Sequence, residues 1–418
     1  MALRVRRSTL QAKTEVTEGV DPGSWTTSDV LALTAISEAQ NPTTTQLNEF
    51  GGSLDTGETI VGAFKPVLTA KGAFRGSGVG AVPIPPFSAL MQAAGFIETL
   101  RAATIPSAAP QVCTGGTANT IQFDPTTGTG TQWPATTAAG ISGASSLLGE
   151  VIELAGNPAV TTWATVTDYN VTGPLATVTI DRIATDCGAI GAVFTSATTI
   201  QRKLGTKWAI GSPTPHPSVT ARQFRDGKLN TFTGCRPNFQ LNGTTGSFLE
   251  FTFAIGGQFT SQTDLAVPVA PIFNSPPVGV NGFCTFTGGG LVGVQFAIKT
   301  FTLDLGNVGQ YPDDINQLTG IQAYLIGSRA IKCSVDPLTV LVGTQDRITL
   351  VKNQTKGDFV IGWGPKTNYG SFTGNKLSIF VDTAKFLDDT MTEDNVVLRD
   401  TMPFEPTQFD NGVILFHW

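Results

Sequence analysis

Around residue 250 the chain alternates strictly. Leu249, Phe251, Phe253 and Ile255 fall on one face of an extended segment, and Phe248, Glu250, Thr252 and Ala254 on the other. A period of two marks a strand with one face against a core. Val219, Ala221 and Gln223 alternate with Thr220, Arg222 and Phe224, and Asp226-Gly227 then supplies a two-residue hairpin turn into residues 229–233. Residues 163–169 and 176–180 predict a second hairpin around Asn170-Val171-Thr172-Gly173-Pro174. Residues 59–74 read as one strand. Val294, Phe296 and Ile298 alternate, and Phe301, Leu303 and Leu305 continue in the opposite phase. That flip predicts a β-bulge or a strand that changes sheets. Further strands are expected at Ile331, Cys333 and Val335, at Leu377, Ile379 and Val381 after a Gly374-Asn375 turn, and at residues 413–416 after Asn411-Gly412. Many short strands separated by turn residues predict a mostly β protein, a sandwich or barrel.

One helix stands out, over about 86–95. Pro85 and Pro86 suit a first turn, Phe87, Leu90, Met91 and Ala94 share one helical face, and Gly95 supplies a left-handed cap. At about two turns it cannot stand alone and must cover a sheet. Residues 1–55 look extended and sparsely apolar, an arm expected to lie on this fold or on a neighbouring subunit. Residues 113–212 change texture: Gly, Thr and Ala dominate, and basic residues are nearly absent until Arg182. We read this stretch as an inserted surface β lobe, leaving 56–112 and 213–418 as the main β core.

Composition sharpens the picture. Charged residues make up only 14% of the chain, too few for many helical surfaces. The 47 glycines and 25 prolines follow no fixed period, which excludes collagen and fits turns. A net charge of −6 argues against gripping nucleic acid through its phosphates but suits a surface along which nucleic acid slides. Cys113, Cys187, Cys235, Cys284 and Cys333 are odd in number and widely spaced, so buried free thiols are expected rather than disulfides or a zinc ribbon. The basic start Met1–Arg7 is followed by no apolar signal region, and no apolar run approaches the ~20 residues that span a bilayer, so a soluble compartment is expected.

Catalytic chemistry is hard to find. The two histidines, His216 between prolines and His417 at the penultimate position, have no Cys, His or Asp at ligand spacing and read as loop and terminal residues. Gly76-Ser77-Gly78-Val79-Gly80 misses the dinucleotide spacing, and Pro83 follows where a helix should open, so it reads as a flexible connection. The pairs Asp313-Asp314 and Asp388-Asp389 read as solvated turns. A calcium site joining the second pair to Asp394 would lack loop periodicity. No catalytic residue, metal or cofactor is expected. Arg4, Arg6, Arg7 and Lys13 form a basic cluster open to three readings: a contact with DNA, a contact with an acidic neighbouring subunit, or a solvated tail.

The run from Phe64 to Gly78, followed by Pro85-Pro86-Phe87-Ser88-Ala89-Leu90-Met91-Gln92-Ala93-Ala94-Gly95-Phe96, resembles the tail tube proteins of siphophages, long-tailed bacteriophages. Residues 220–236, with the Asp226-Gly227 turn, resemble the hairpin that follows in that family. Phe301-Thr302-Leu303-Asp304-Leu305-Gly306-Asn307 is similar to its D-L-G-N strand. The pieces keep the family's order across residues 55–400, and 113–212 departs from it as an unusually long link. The resemblance implies a structural virion protein made in the host bacterial cytoplasm. It implies hexameric rings around a closed inner β-barrel with a helix outside, stacked head to tail into a non-contractile tube. Its partners would be copies of itself and the tape-measure, tail-tip and tail-terminator proteins, with DNA passing unbound through a lumen of acidic and small polar residues. A capsid decoration or host-binding adhesin, suggested by the Gly/Thr-rich insert, is the alternative. A polysaccharide-degrading enzyme would need a carboxylate pair across a cleft.

Overall fold

The computed structural model describes residues 8–47, 58–75, 84–101, 110–126, 133, 147–156, 161–187, 189, 191–269, 275–317, 319–364, 376–394, 396–408 and 410–418. The Gly76–Gly80 connection, Pro83, the Gly374-Asn375 turn and Arg4, Arg6 and Arg7 lie outside these residues. The fold is mostly β, with the short helices α1 (Ser88–Ala93) and α2 (Arg347–Lys352).

Two layers make the body. A front sheet runs antiparallel through Ala35–Ala39, Val67–Ala73, Glu250–Asp264, Lys228–Thr244, Ile298–Asp304 and Lys332–Pro337. A back sheet runs through Leu291–Gln295, Phe283–Gly288, Lys356–Trp363, Leu377–Phe386, Val413–His417, Gly205–Ile210 and Phe96–Arg101. The strand Val397–Pro406 pairs with both Lys332–Pro337 and Leu377–Phe386, so the hydrogen-bonded ladder bends from one layer into the other. One core cluster takes in Leu241, Phe251 and Phe253 from the front with Ile361, Ile379 and Leu415 from the back. Each large side chain buried there contributes about 1.5–3 kcal/mol.

The strict alternation at 249–255 is read out directly: Leu249, Phe251, Phe253 and Ile255 are all buried, while Ala254 is exposed. The phase flip after Ile298 is a register shift between Ile298 and Phe301 in the pairing with Lys332–Pro337. Asp226 (φ 45°) and Gly227 (φ 102°) turn the hairpin that pairs Arg225 with Lys228. The other expected hairpin has a tighter turn, since Thr172 already pairs with Leu175 and Gly173 carries φ 65°.

One expectation needs correction. Residues 59–74 are two strands, Thr59–Phe64 and Val67–Ala73, because Pro66 has no N–H for a ladder; the first pairs with Pro42–Gln46 and the second joins the front sheet. The N-terminal segment lies on this fold in its described part. Ser8–Thr14 pairs with Val219–Arg225 over seven residues, and Leu10 and Ala12 are buried. His216 lies in a loop and is half-buried, and His417, in the last strand, is 1% exposed in the middle of the back sheet.

Residues 111–202 hold a separate seven-stranded sheet, Gln111–Val112, Thr199–Arg202, Val151–Ala155, Thr162–Thr172, Leu175–Ile180, Thr120–Phe123 and Gly115–Gly116. Ile121, Phe123, Trp133, Ile152, Val178 and Ile200 form its own core. Its Val151 and Trp163 pack on Phe283, Val360, Phe380, Ile414 and Phe416, on the side of the back sheet away from the front sheet. At this junction the Arg182 guanidinium lies 3.8 Å over the Phe283 ring and 3.1 Å from Asp181. Burial pushes the Asp181 carboxyl upward while Arg182 and the Thr165 N–H oppose the shift. The hydroxyls of Thr165 and Ser378 meet at 2.7 Å across the seam. The molecule is therefore layered as lobe, back sheet, core and front sheet.

Candidate functional site: a helix-end network and an open polar face

Helix α1 exists because tertiary contacts hold it. Phe87, Leu90, Met91 and Ala94 are buried, and Glu98 on the next strand accepts from Ser88 Oγ (2.7 Å) and Gln92 Nε2 (2.5 Å). Pro85 is buried and Pro86 half-buried at its start. Gly95 ends it at φ 101°, where a Cβ would collide with Arg329 Nη2.

The D-L-G-N residues converge on that helix end. Ile298–Asp304 stops at Asp304, whose Oδ1 accepts from Asn238 Nδ2 (2.9 Å) and the Gly306 N–H (2.8 Å), and whose Oδ2 accepts from Gln240 Nε2 (2.9 Å). Leu305 is buried, and Gly306 turns the chain at φ 59°, where a Cβ would strike the Ala330 carbonyl. Asn307 then uses its whole polar complement. Its N–H donates to Asn238 Oδ1 (2.9 Å), its Nδ2 donates to the Ala94 (2.9 Å) and Pro237 (3.1 Å) carbonyls, and its Oδ1 accepts from Arg329 Nε (3.0 Å). Arg329 Nη1 reaches the Gly211 carbonyl at 3.1 Å. Motif residues from 85–95 and 304–307 are thus one network, whereas Asp226 and Gly227 sit in a turn elsewhere.

Sequence reasoning missed two members of this region. Glu15 is 9% exposed, and its carboxylate accepts from Ser218 Oγ (2.6 Å), Thr220 Oγ1 (2.8 Å) and the N–H groups of Gly19 (2.8 Å) and Gly234 (2.8 Å). Arg236 donates to His216 Nδ1 (3.1 Å) and the Tyr324 carbonyl (2.6 Å) and pairs with Glu18 (2.6 Å). Burial, then the charges of Arg236 and Arg329, hold His216 below the usual imidazole range, while the Pro217 carbonyl and Glu18 act the other way. Nothing in local spacing signals either cluster.

The outer face of the front sheet is polar and open in part, with Thr252 buried and Gln240, Glu250, Asp304 and Ser334 half-buried. Ala35, Lys71, Thr252, Gln240, Asp304 and Lys332 form a row straight across its six strands, and Glu250, Asn242, Thr302 and Ser334 form a second. Lys71, Asn242, Thr302 and Lys332 are exposed. Lys71 and Lys332 stand against Glu250 and Asp304, so the two rows carry balanced charge.

Elsewhere the titratable groups are engaged structurally. Asp314 accepts from the Asn316 N–H and Gln322 Nε2 (both 2.9 Å), Asp388 from Thr390 Oγ1 (2.9 Å), and Asp394 pairs with Lys299 (2.6 Å) and Arg399 (3.2 Å). Asp394 is therefore not turned to a site with Asp388 and Asp389. Among the described residues no group of three or more His, Cys, Asp or Glu side chains is placed to hold a metal. All five cysteines are buried free thiols, and burial pushes Cys113 up to about 12.

What these residues build is a scaffold with a polar outer sheet face. Residues 185–392, about half of the chain, match the phage tail tube protein family. The matched span contains the Asp226-Gly227 turn and Asp304–Asn307, and α1 precedes it. The chain belongs to that family: it is a structural component of a phage tail that assembles with itself and with other tail proteins. A search of curated proteins finds no match. No helix among the described residues is long and apolar enough to cross a membrane.

Proposed function

We propose that this chain is the tail tube subunit of a siphophage, forming stacked hexameric rings whose bore conducts the genome at ejection, and that it has no enzymatic role. The observation that carries this reading is the polar outer face of the front sheet. We assign it to the bore. Its Thr, Asn, Gln and Ser residues and balanced charges offer DNA no net attraction, since retention depends on phosphate neutralisation. On this assignment the bore carries small polar residues, as expected, with acidic residues matched by lysines. Among the described residues the strand Ala35–Ala39 pairs on one side only, with Val67–Ala73, so on this reading its other edge takes a neighbouring subunit that continues the sheet around a ring. On this reading 56–112 and 213–418 are the tube core. The 113–212 segment is an inserted lobe on the outside, because it covers the back sheet and not the polar face. Tape-measure, tail-tip and tail-terminator proteins would contact the tube, and Arg4, Arg6 and Arg7 would reach an adjacent subunit.

Negative-stain microscopy of the purified chain tests the reading. Rings or tubes with an open bore are the expected result. A chain that stays single at every concentration overturns it.

A further inference from the structure

We propose that copies of this chain join head to tail by seating an apolar knob at one end of the strand Val397–Pro406 in a cavity at its other end. The inference rests on the self-assembly reading above and names the surfaces it uses.

The knob is formed where two segments abut. The Thr339 N–H donates to the Leu398 carbonyl at 3.1 Å, and Leu338 bridges to Arg399. This sets the loop carrying Leu341 (82% exposed) and Val342 (67%) beside Val396 (98%) and Leu398 (50%). Apolar side chains clustered in solvent at one end mark an interaction surface. The charge beside them is Glu393, which is exposed; Asp394 is already neutralised by Lys299 and Arg399.

The cavity, of about 540 Å³, is lined about equally by apolar residues, among them Ile326, Ala330 and Ile331, and by polar ones, among them Ser212, Thr214 and Gln408, with Arg329 and Lys332 at its wall. Glu405 also lines it and offsets one of these cations. The volume suits several aliphatic side chains. Pairings of Cys333 with Phe404 and of Val335 with Met402 show that two strands run together from the cavity toward the knob. Ten residues of strand separate Val396 from Pro406, about 30 Å at ~3.3 Å per residue.

Knob and cavity therefore face opposite ways along one strand pair and cannot meet within one copy. They match in two respects: the apolar knob meets the aliphatic part of a cavity of mixed lining, and Glu393 comes against a wall that carries Arg329 and Lys332. A contact between two different surfaces does not close on itself and propagates along the axis. The occupant of the cavity is a second copy of this chain.

The test uses two full-length variants. One, Leu341→Asp with Val396→Asp, disables the knob; the other, Ser328→Trp with Lys332→Glu, blocks the cavity. All four positions are exposed, and circular dichroism with thermal melting checks folding. Val396→Asp alone is the second knob variant if the pair fails to fold. Velocity sedimentation and microscopy should show rods for the unmodified chain. Each variant alone should stall as a single subunit or ring, with association weakened at least ~10-fold. Mixed together, the two should form pairs that grow no further, because each pair retains one working contact. Variants that form rods like the unmodified chain, a mixture that gives no pairs, or one that resumes long rods overturns the knob-and-cavity contact alone. An unmodified chain that never associates overturns the self-assembly reading with it.

Discussion

The side-chain amide of Asn307 donates to the carbonyl of Ala94 at 2.9 Å, joining residues 213 apart in sequence. The carbonyl belongs to the C-terminal end of α1, and such carbonyls have no partner within their own helix. Arg329 Nη2 reaches the same oxygen at 3.3 Å. The helix is thus fastened to the sheet by the residue that ends the D-L-G-N run.

Replacing Asn307 with Ala removes its three side-chain hydrogen bonds, keeps the one from its backbone N–H, and leaves the Pro237 carbonyl without this donor. We expect a loss of roughly 2–4 kcal/mol, read as a lower urea midpoint at unchanged slope. Asn307→Asp should be no better than Ala, since it keeps the acceptor for Arg329 but sets a carboxylate against two carbonyls. A variant with the original midpoint would show that the helix end is held by Arg329 alone.

Glu15 gathers four donors from three separate stretches of chain. Glu15→Ala strands those donors, and the expected cost is about 3 kcal/mol. Glu15→Gln keeps one acceptor oxygen and turns an NH2 toward the other donors, so it should fall between the two. Hydrogen exchange localises the effect: the amides of Gly19 and Gly234 should lose protection first.

The elements that were legible in the sequence are those whose cause is local. Period two at 249–255, the apolar face of α1 and the Asp226-Gly227 turn each follow from neighbours a few residues away. The helix-end network was not legible as chemistry, because Asp304, Asn307, Ala94 and Arg329 meet only after the sheets form. Residues 413–416 read as a short last strand, yet Val413, Ile414, Leu415 and Phe416 are all buried. Their lack of alternation reflects two covered faces, the core on one side and the 113–212 segment on the other. Glu15 read as part of a polar arm because nothing local reveals that Ser218, Thr220 and Gly234 surround it.

His417 lies buried, neither ring nitrogen has a hydrogen-bond partner among the described residues, and the Phe74 ring is 6.0 Å away. Burial lowers its pKa from 6.5 to about 4. The unfolded chain therefore binds the proton first. Stability is full above pH ~6.5 and falls as pH drops toward ~4, by on the order of 3 kcal/mol. His417→Leu forfeits no hydrogen bond and should flatten this slope in melting curves between those limits. An unchanged slope would assign the acid sensitivity to other groups.

Asp358 has the opposite sign. Burial first, then the charges of Asp382 and Asp168, raise its carboxyl from 3.8 to about 7, against a lowering hydrogen bond from the Thr383 backbone. The folded state holds the proton longer, so this contribution is present below pH ~3.8 and is lost as pH rises through ~7. Asp358→Asn should raise stability by about 1–3 kcal/mol at pH 8 and change little at pH 4. Equal gains at both values would mean that packing rather than ionisation sets the effect.

The bore assignment predicts a gain of function that needs no loss of assembly. Asn242 and Thr302 pair across two central strands of the front sheet, and both are exposed. Changing both to Lys should leave the fold and tube formation intact while adding two cations per subunit to the proposed bore. Neutralised phosphates release counterions, so binding to such a surface weakens steeply with salt. Double-stranded DNA should be retained by the variant tubes at about 50 mM salt and released near 200 mM, and unmodified tubes should not retain it at either. Retention also requires that DNA has entered, so linear duplex threaded through open tubes is the informative probe, with circular DNA of the same sequence as control. Linear DNA held and circular DNA excluded would put Asn242 and Thr302 inside. Equal retention of both forms would put the front sheet on the outer surface and move the bore to another face of the subunit.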